Sequence, residues 1–225
     1  MNHIFYLNSD TILLNNAVKI FFDYWENADN KEQIGALGGI LLDDKLLPIH
    51  SGAELPTYKA MVSLQLHMMK FHILKTFIKV LHFEKIYQRK QRETSLTDNV
   101  CAGEIGYITG ADLFLKNDEC AYFDEQYFMY YEETDLQNNL FMQQKKRLII
   151  EGPKIIHLTR KIGKKFQVSG FSEICMQESS IKYAHKNLNN QARFLKFLIF
   201  VDRLNPFLWK ISRVEFVGVN SFFSA

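Results

Sequence analysis

Cysteine is scarce and without pattern: Cys101, Cys120 and Cys175 stand alone among 225 residues, with no CxxC spacing. Three isolated thiols exclude a disulfide framework and a thiolate zinc site. They fit a reducing, cytoplasmic compartment. A strong excess of either charge is also missing. The formal net charge is +2 and the sequence pI about 8.3, too mild a balance to argue for a nucleic-acid partner, and none is expected. Long apolar runs are absent too. The greasiest late segment, Phe197-Leu198-Ile199-Phe200-Val201, falls far short of the roughly 20 residues that a spanning helix needs. The opening MNHIFYLNSD has no charged segment leading into a long apolar stretch, so no signal peptide is read there. Internal repeats and low-complexity tracts are missing as well.

What is present is globular in composition. Apolar residues make up 47% and charged residues 23%, and 19 phenylalanines supply material for a core and for a greasy surface. The length suits one large domain, or a domain with an appendage.

Ile4 to Leu7 is a short apolar run ending in Asn8-Ser9-Asp10, the pattern of a buried strand opening into a polar turn. Asp10 or Thr11 then stands where a helix cap is expected, before an apolar face of Leu14, Ala17, Val18, Phe21, Phe22 and Trp25. IGALGGILL, residues 34–42, reads as a second buried strand whose glycines signal a bulge or a close backbone approach.

Residues 57–92 follow helical spacing and interleave apolar residues with lysine and arginine. Two readings fit that pattern equally: a surface helix packed on the core, and a basic amphipathic face on an anionic membrane surface. Residues 104–116 read as strand, glycine turn, strand. The aromatic run from Tyr122 breaks into the acidic quartet Glu132-Glu133-Thr134-Asp135, expected to open a helix reaching about Gln144. Arg147–Glu151 is a predicted strand, Gly152-Pro153 a turn, and Lys154–Leu158 a further strand ending near His157. The tail from about Ser179 to Trp209 is basic, aromatic and mostly helical by pattern.

Three places carry residues with chemical potential: Asn8-Ser9-Asp10, Glu132 to Asp135, and His157. Each has an ordinary explanation. An Asp after a strand is a turn residue, acids opening a helix compensate its dipole, and a lone His is usually structural. Taken together they suit another chemistry. Hard cations want carboxylate oxygens, and Mn²⁺ also accepts imidazole. A departing diphosphate needs such a cation, and a hydroxyl nucleophile needs a carboxylate base. In open α/β folds, ligands gather at the carboxyl ends of the strands.

The strings YITGADLFL, FDEQYFMYYEETDL and RLIIEGPKIIHL, in that order after FYLNSDTILL and IGALGGILLDD, resemble bacterial family-2 glycosyltransferases of the rhamnosyltransferase-like branch. The resemblance runs from about residue 4 to 158, and more loosely through the tail. It implies an α/β chain: the C-terminal part of a GT-A fold with added amphipathic helices. It also implies an inverting, Mn²⁺- or Mg²⁺-dependent transferase. Such an enzyme moves a sugar from a nucleotide-diphosphate donor to a glycan or lipid-linked acceptor in cell-surface polysaccharide synthesis, at the cytoplasmic face of the membrane. Asp10 would bind the cation, with Asn8 at the position of the motif's first acid, and Gly110 and Ala111 would line the donor-sugar pocket. Glu133 matches the general base, Glu132 precedes it, and His157 matches a second metal ligand.

The chain departs from the family pattern in several places. Members commonly have Asp where this chain has Glu133, and a glycine–aromatic pair where it has Gln144, Lys145 and Lys146. Small, glycine-rich residues usually follow the metal-ligand histidine, whereas Thr159, Arg160 and Lys161 follow here. The family's nucleotide-binding β-α-β-α-β half, which holds base and ribose in doubly wound folds, has no counterpart before Ile4. A truncated product, a non-catalytic remnant and a separate chain supplying the missing half all fit that departure. The expected organisation is an incomplete GT-A domain over 1–160, with 57–92 as a basic helical insertion, and a basic, aromatic, membrane-peripheral tail over 161–225.

Overall fold

Residues 2–80, 101–158, 170–189 and 192–204 are described by a computed structural model. They fall into two compact units: Met1–Leu55, Leu96–Tyr127 and Glu132–Phe166 form one, and Pro56–Ser95, Phe128–Tyr131 and Gln167–Ala225 the other.

The first unit is an α/β sandwich around a mixed sheet. Its strands are β1 (His3–Leu7), β2 (Thr11–Leu13), β3 (Ile34–Leu42), β5 (Gly103–Glu104), β7 (Asp112–Lys116) and β8 (Lys146–His157), ordered β1-β7-β3-β8-β2, with β5 also pairing β8. β3 and β8 run parallel, and β7 lies antiparallel between β1 and β3. A small ribbon pairs β4 (Gly52–Ala53) with β6 (Tyr107–Ile108).

Strand alternation sends side chains to opposite faces, and both faces are covered. Leu37, Phe114 and Ile150 pack with Ala17, Phe21 and Trp25 of α1 (Ala17–Asn27). Ala36, Leu113, Leu115 and Ile149 pack with Leu136 and Leu140 of α3 (Glu132–Met142). Phe21 is fully buried and stacks on Phe114, centroids 5.6 Å apart, a burial that stabilises by about 1.5–3 kcal/mol.

Several expectations are corrected. Neither Asp10 nor Thr11 caps a helix. Thr11–Leu13 pairs with Ile155–His157 as β2, and Asn16 caps α1 by accepting the Lys19 N–H at 3.1 Å. The buried stripe of α1 is Ala17, Phe21 and Trp25, spaced by four. Leu14, Val18 and Phe22 are exposed, because one narrow stripe suffices to meet the sheet.

Gly152-Pro153 is not a turn between two strands; β8 runs through it as one strand of 12 residues. Gly152 takes a positive φ of 111°, and the β3–β8 register shifts between Gly39 and Leu41. The extra residues are therefore absorbed as a bulge. The expected close approach at the β3 glycines is also present: a Cβ on Gly38 would collide with Ile108. β1 is half-buried rather than buried and, among the described residues, pairs with β7 alone.

The second unit is helical, built from α2 (Tyr58–Val80), α4 (Gly170–Asn187) and α5 (Ala192–Arg203). The predicted helix over 57–92 is described as far as Val80; residues 81–92, Thr159 to Lys161 and the tail beyond Leu204 lie outside the described residues.

Candidate functional site

The turn after β1 is built by its own polar residues. Thr11 donates from its N–H (3.2 Å) and its Oγ1 (2.7 Å) to the Asn8 carbonyl, closing the turn over Ser9 and Asp10. The Asn8 N–H donates to the Ala111 carbonyl at 3.1 Å, and the Leu158 N–H to the Asp10 carbonyl at 2.8 Å. With Thr11 opposite His157 in the β2–β8 register, the Asp10 carboxylate meets the imidazole: Oδ1 lies 3.3 Å from Nε2. Both side chains keep access to solvent, at 38% and 23% exposure.

Ala111 leads back to Gly110 in the turn between β6 and β7. Gly110 faces the first turn of α3, where a Cβ on the glycine would lie 3.6 Å from the Cβ of Glu133. Gln137, one turn further along α3, fixes that approach. Its Oε1 accepts the Ile108 N–H at 2.8 Å, and its Nε2 donates to the Ile108 carbonyl at 2.7 Å and to the Glu133 carbonyl at 3.1 Å. The side chain thus continues the edge of β6 as a peptide group would, and ties the start of α3 to the glycine turn.

The acids here are poorly solvated. Oε2 of Glu132 and Oε2 of Glu133 are both shut off from solvent without a hydrogen-bond partner. Burial, and then the neighbouring Glu132 charge, raise the Glu133 carboxyl to about 7. Burial raises Glu132 as well.

Sequence reasoning missed Asp112, which follows Ala111. Its Oδ2 accepts the Gly39 N–H at 2.6 Å, while Oδ1 is buried and unpartnered. Burial pushes this carboxyl well above the usual range, partly opposed by that hydrogen bond. Backbone pairing of β3 with β7 covers Ala36 and Leu37; Asp112 takes over at Gly39, holding the diverging strands with a side chain. An acid opening the apolar run DLFL was the available signal. Gln137 carried none, since a glutamine inside a helix looks like surface.

Of the predicted residues, Asp10 pairs with His157, Asn8 hydrogen-bonds Ala111, and Gly110 faces Glu133 with room for no more than a Cβ between them. Glu132 touches the set through its charge on Glu133. A small cavity lined by Trp25, Gly35, Leu115 and Lys145 lies by the start of β3 and includes none of them.

The second unit has a polar constellation of its own. Nδ1 of His72 lies 3.0 and 2.9 Å from the two carboxylate oxygens of Asp202, and Gln65 Nε2 donates to Asp202 at 3.2 Å. Nε2 of His72 lies 3.7 Å from Glu173, which also accepts from Arg203 at 3.2 Å, and Arg203 donates to Gln177 at 2.6 and 2.8 Å. Among the described residues, His72, Glu173 and Asp202 are the one group of three whose ligand atoms are close enough to hold a cation. Each is already engaged by a neighbour, and the guanidinium beside Glu173 opposes a further positive charge. The network ties α2, α4 and α5 together.

No protein-family model matches this chain, and comparison with curated proteins and with solved structures finds none similar to it.

Proposed function

We propose that the first unit is the acceptor- and diphosphate-side part of a GT-A-type catalytic domain, and that its reaction is inverting sugar transfer from a nucleotide-diphosphate donor. The observation carrying this reading is Glu133: a carboxyl with one desolvated oxygen, raised to about 7, seated against a glycine turn. A general base works best with a pKa near the ambient pH. Glu133 takes the proton of the acceptor hydroxyl, whose oxygen attacks the anomeric carbon. The bond from that carbon to the diphosphate oxygen breaks on the opposite face, and the nucleoside diphosphate leaves with the electron pair. On this reading Gly110 lies beside the donor sugar, and Ala111, 2% exposed and packed in the core, supports the turn from behind.

Asp10 and His157 are the residues that would hold a divalent cation. One carboxylate and one imidazole, 3.3 Å apart and open to solvent, form a donor set that suits Mn²⁺ and accommodates Mg²⁺ less readily. When bound, such a cation stabilises charge on the departing diphosphate. On this reading base and ribose are held by further strands beside β1, from this protein or a separate chain; among the described residues the outer edge of β1 pairs with none. The acceptor is a glycan or a lipid-linked sugar.

The test is titration of the full chain with MnCl₂, alone and with UDP or dTDP. Saturable binding that is lost in Asp10→Ala and His157→Ala is expected; absent binding, or binding unchanged by Asp10→Ala, overturns the cation site. In a transfer assay with the nucleotide-binding strands supplied, Glu133→Gln lowers turnover about 10²–10⁴-fold and leaves nucleotide affinity nearly unchanged. Full activity in Glu133→Gln excludes it as the base.

A further inference from the structure

We infer that the second unit is a docking module for anionic membrane surfaces, with the outer face of α5 as its contact. This goes beyond the transferase reading and does not depend on it. α5 is apolar on two sides. Ala192, Leu195, Leu198 and Ile199 are buried in the unit, while Phe194, Phe197, Phe200 and Val201 form a second stripe on the opposite side, continued by Leu204 just past the helix end. Phe197 is 57% exposed and Leu204 55%. Scattered exposed hydrophobics need no explanation, but three phenylalanines and two aliphatics on one helical face are a contiguous patch. Arg193 is exposed on that same face.

Charge says what covers it. By sequence, the segments of the helical unit hold 15 Lys and Arg against six Asp and Glu, a net +9, and those of the sheet unit hold 12 against 19, a net −7. A chain nearly neutral overall has thus collected its positive charge on the unit that exposes aromatic side chains. Aromatic rings beside basic residues suit the headgroup boundary of a bilayer with anionic lipids. Among the described residues no helix is long and apolar enough to cross a membrane, so α5 lies in the interface with its phenylalanines inserted. α2 adds exposed Leu64, Leu74 and Phe77, with Lys59 and Lys70 also exposed.

The experiment is co-sedimentation of the full chain with vesicles of phosphatidylcholine alone or mixed with phosphatidylglycerol, at low and high salt. Expected is binding to the mixed vesicles that high salt weakens. Phe197→Ser should bind about tenfold more weakly, the effect of losing one buried large apolar side chain. Leu204→Ser and Arg193→Glu should weaken binding as well. All three positions are exposed, so thermal unfolding should be unchanged. Asp10→Ala should bind vesicles like the wild type, which separates this inference from the fate of the cation site. Binding absent from both vesicle types, or indifferent to lipid charge and salt, overturns the proposal. So does a dimer in sedimentation velocity that Phe197→Ser dissociates without any lipid binding, since the stripe would then face a second copy. A wild type that binds vesicles only when residues 205–225 are removed assigns the stripe to the chain's own tail and equally overturns it.

Discussion

Glu133 joins the chemistry of the proposed site to the stability of the fold. Its carboxyl sits at about 7 in the folded chain against an ordinary 4.5. Between those values the folded protein holds a proton that the unfolded chain has lost, so stability falls as pH rises through the window. The penalty above it is at most about 3–4 kcal/mol. Urea unfolding at pH 5 and pH 8 should show the wild type less stable at the higher pH. Glu133→Gln, which cannot ionise, should flatten that slope and be the more stable of the two at pH 8. The same substitution removes the proposed base, so on that proposal a gain in stability is paired with a loss of turnover, as where function opposes folding. The acidic quartet that opens α3 was legible in the sequence. The burial of Glu133 was not, since the glycine turn that it faces lies more than twenty residues earlier in the chain.

Among the elements, legibility followed how local the determining forces are. α3 begins at Glu132 as its acids and dipole predict, and residues 34–42 form a strand whose glycines meet a neighbour. β8 was misjudged because Gly-Pro is a turn signal in isolation, whereas pairing with β3, β5 and β2 holds the chain extended through it. The start of α1 was misplaced for the same kind of reason: pairing of Thr11–Leu13 with β8 took residues that a local reading gave to a helix. Tyr130 and Tyr131 stand just before α3 with φ of 66° and 68°, a left-handed pair that no propensity scale anticipates. Gln137 is the element-level counterpart of Glu133. Gln137→Leu leaves the Ile108 N–H and C=O without their partner and should cost about 1–3 kcal/mol, measured by urea unfolding at neutral pH. If the substitution is silent, Gln137 does not hold α3 to the glycine turn.

For the molecule as a whole, the two units differ in what they bury. The sheet unit is stabilised by two apolar layers. The helical unit adds a buried polar network to its apolar residues, with Asp202 on the inner face of α5 bonded to His72 and Gln65. Removing Asp202 leaves the buried His72 and Gln65 donors without their partner, so Asp202→Leu should destabilise by about 1–3 kcal/mol. Hydrogen exchange should place that loss in α2, α4 and α5 and leave the β3 and β8 amides protected; uniform loss across the chain would mean that the two units unfold together. Parallel pairing of β3 with β8 has a consequence in time. About 100 residues separate the two strands, and at roughly 5–20 residues added per second the ribosome takes some 5–20 s to deliver the second after the first. Throughout that interval IGALGGILL emerges as an apolar segment with no parallel partner, and its protection falls to whatever chaperone meets the nascent chain.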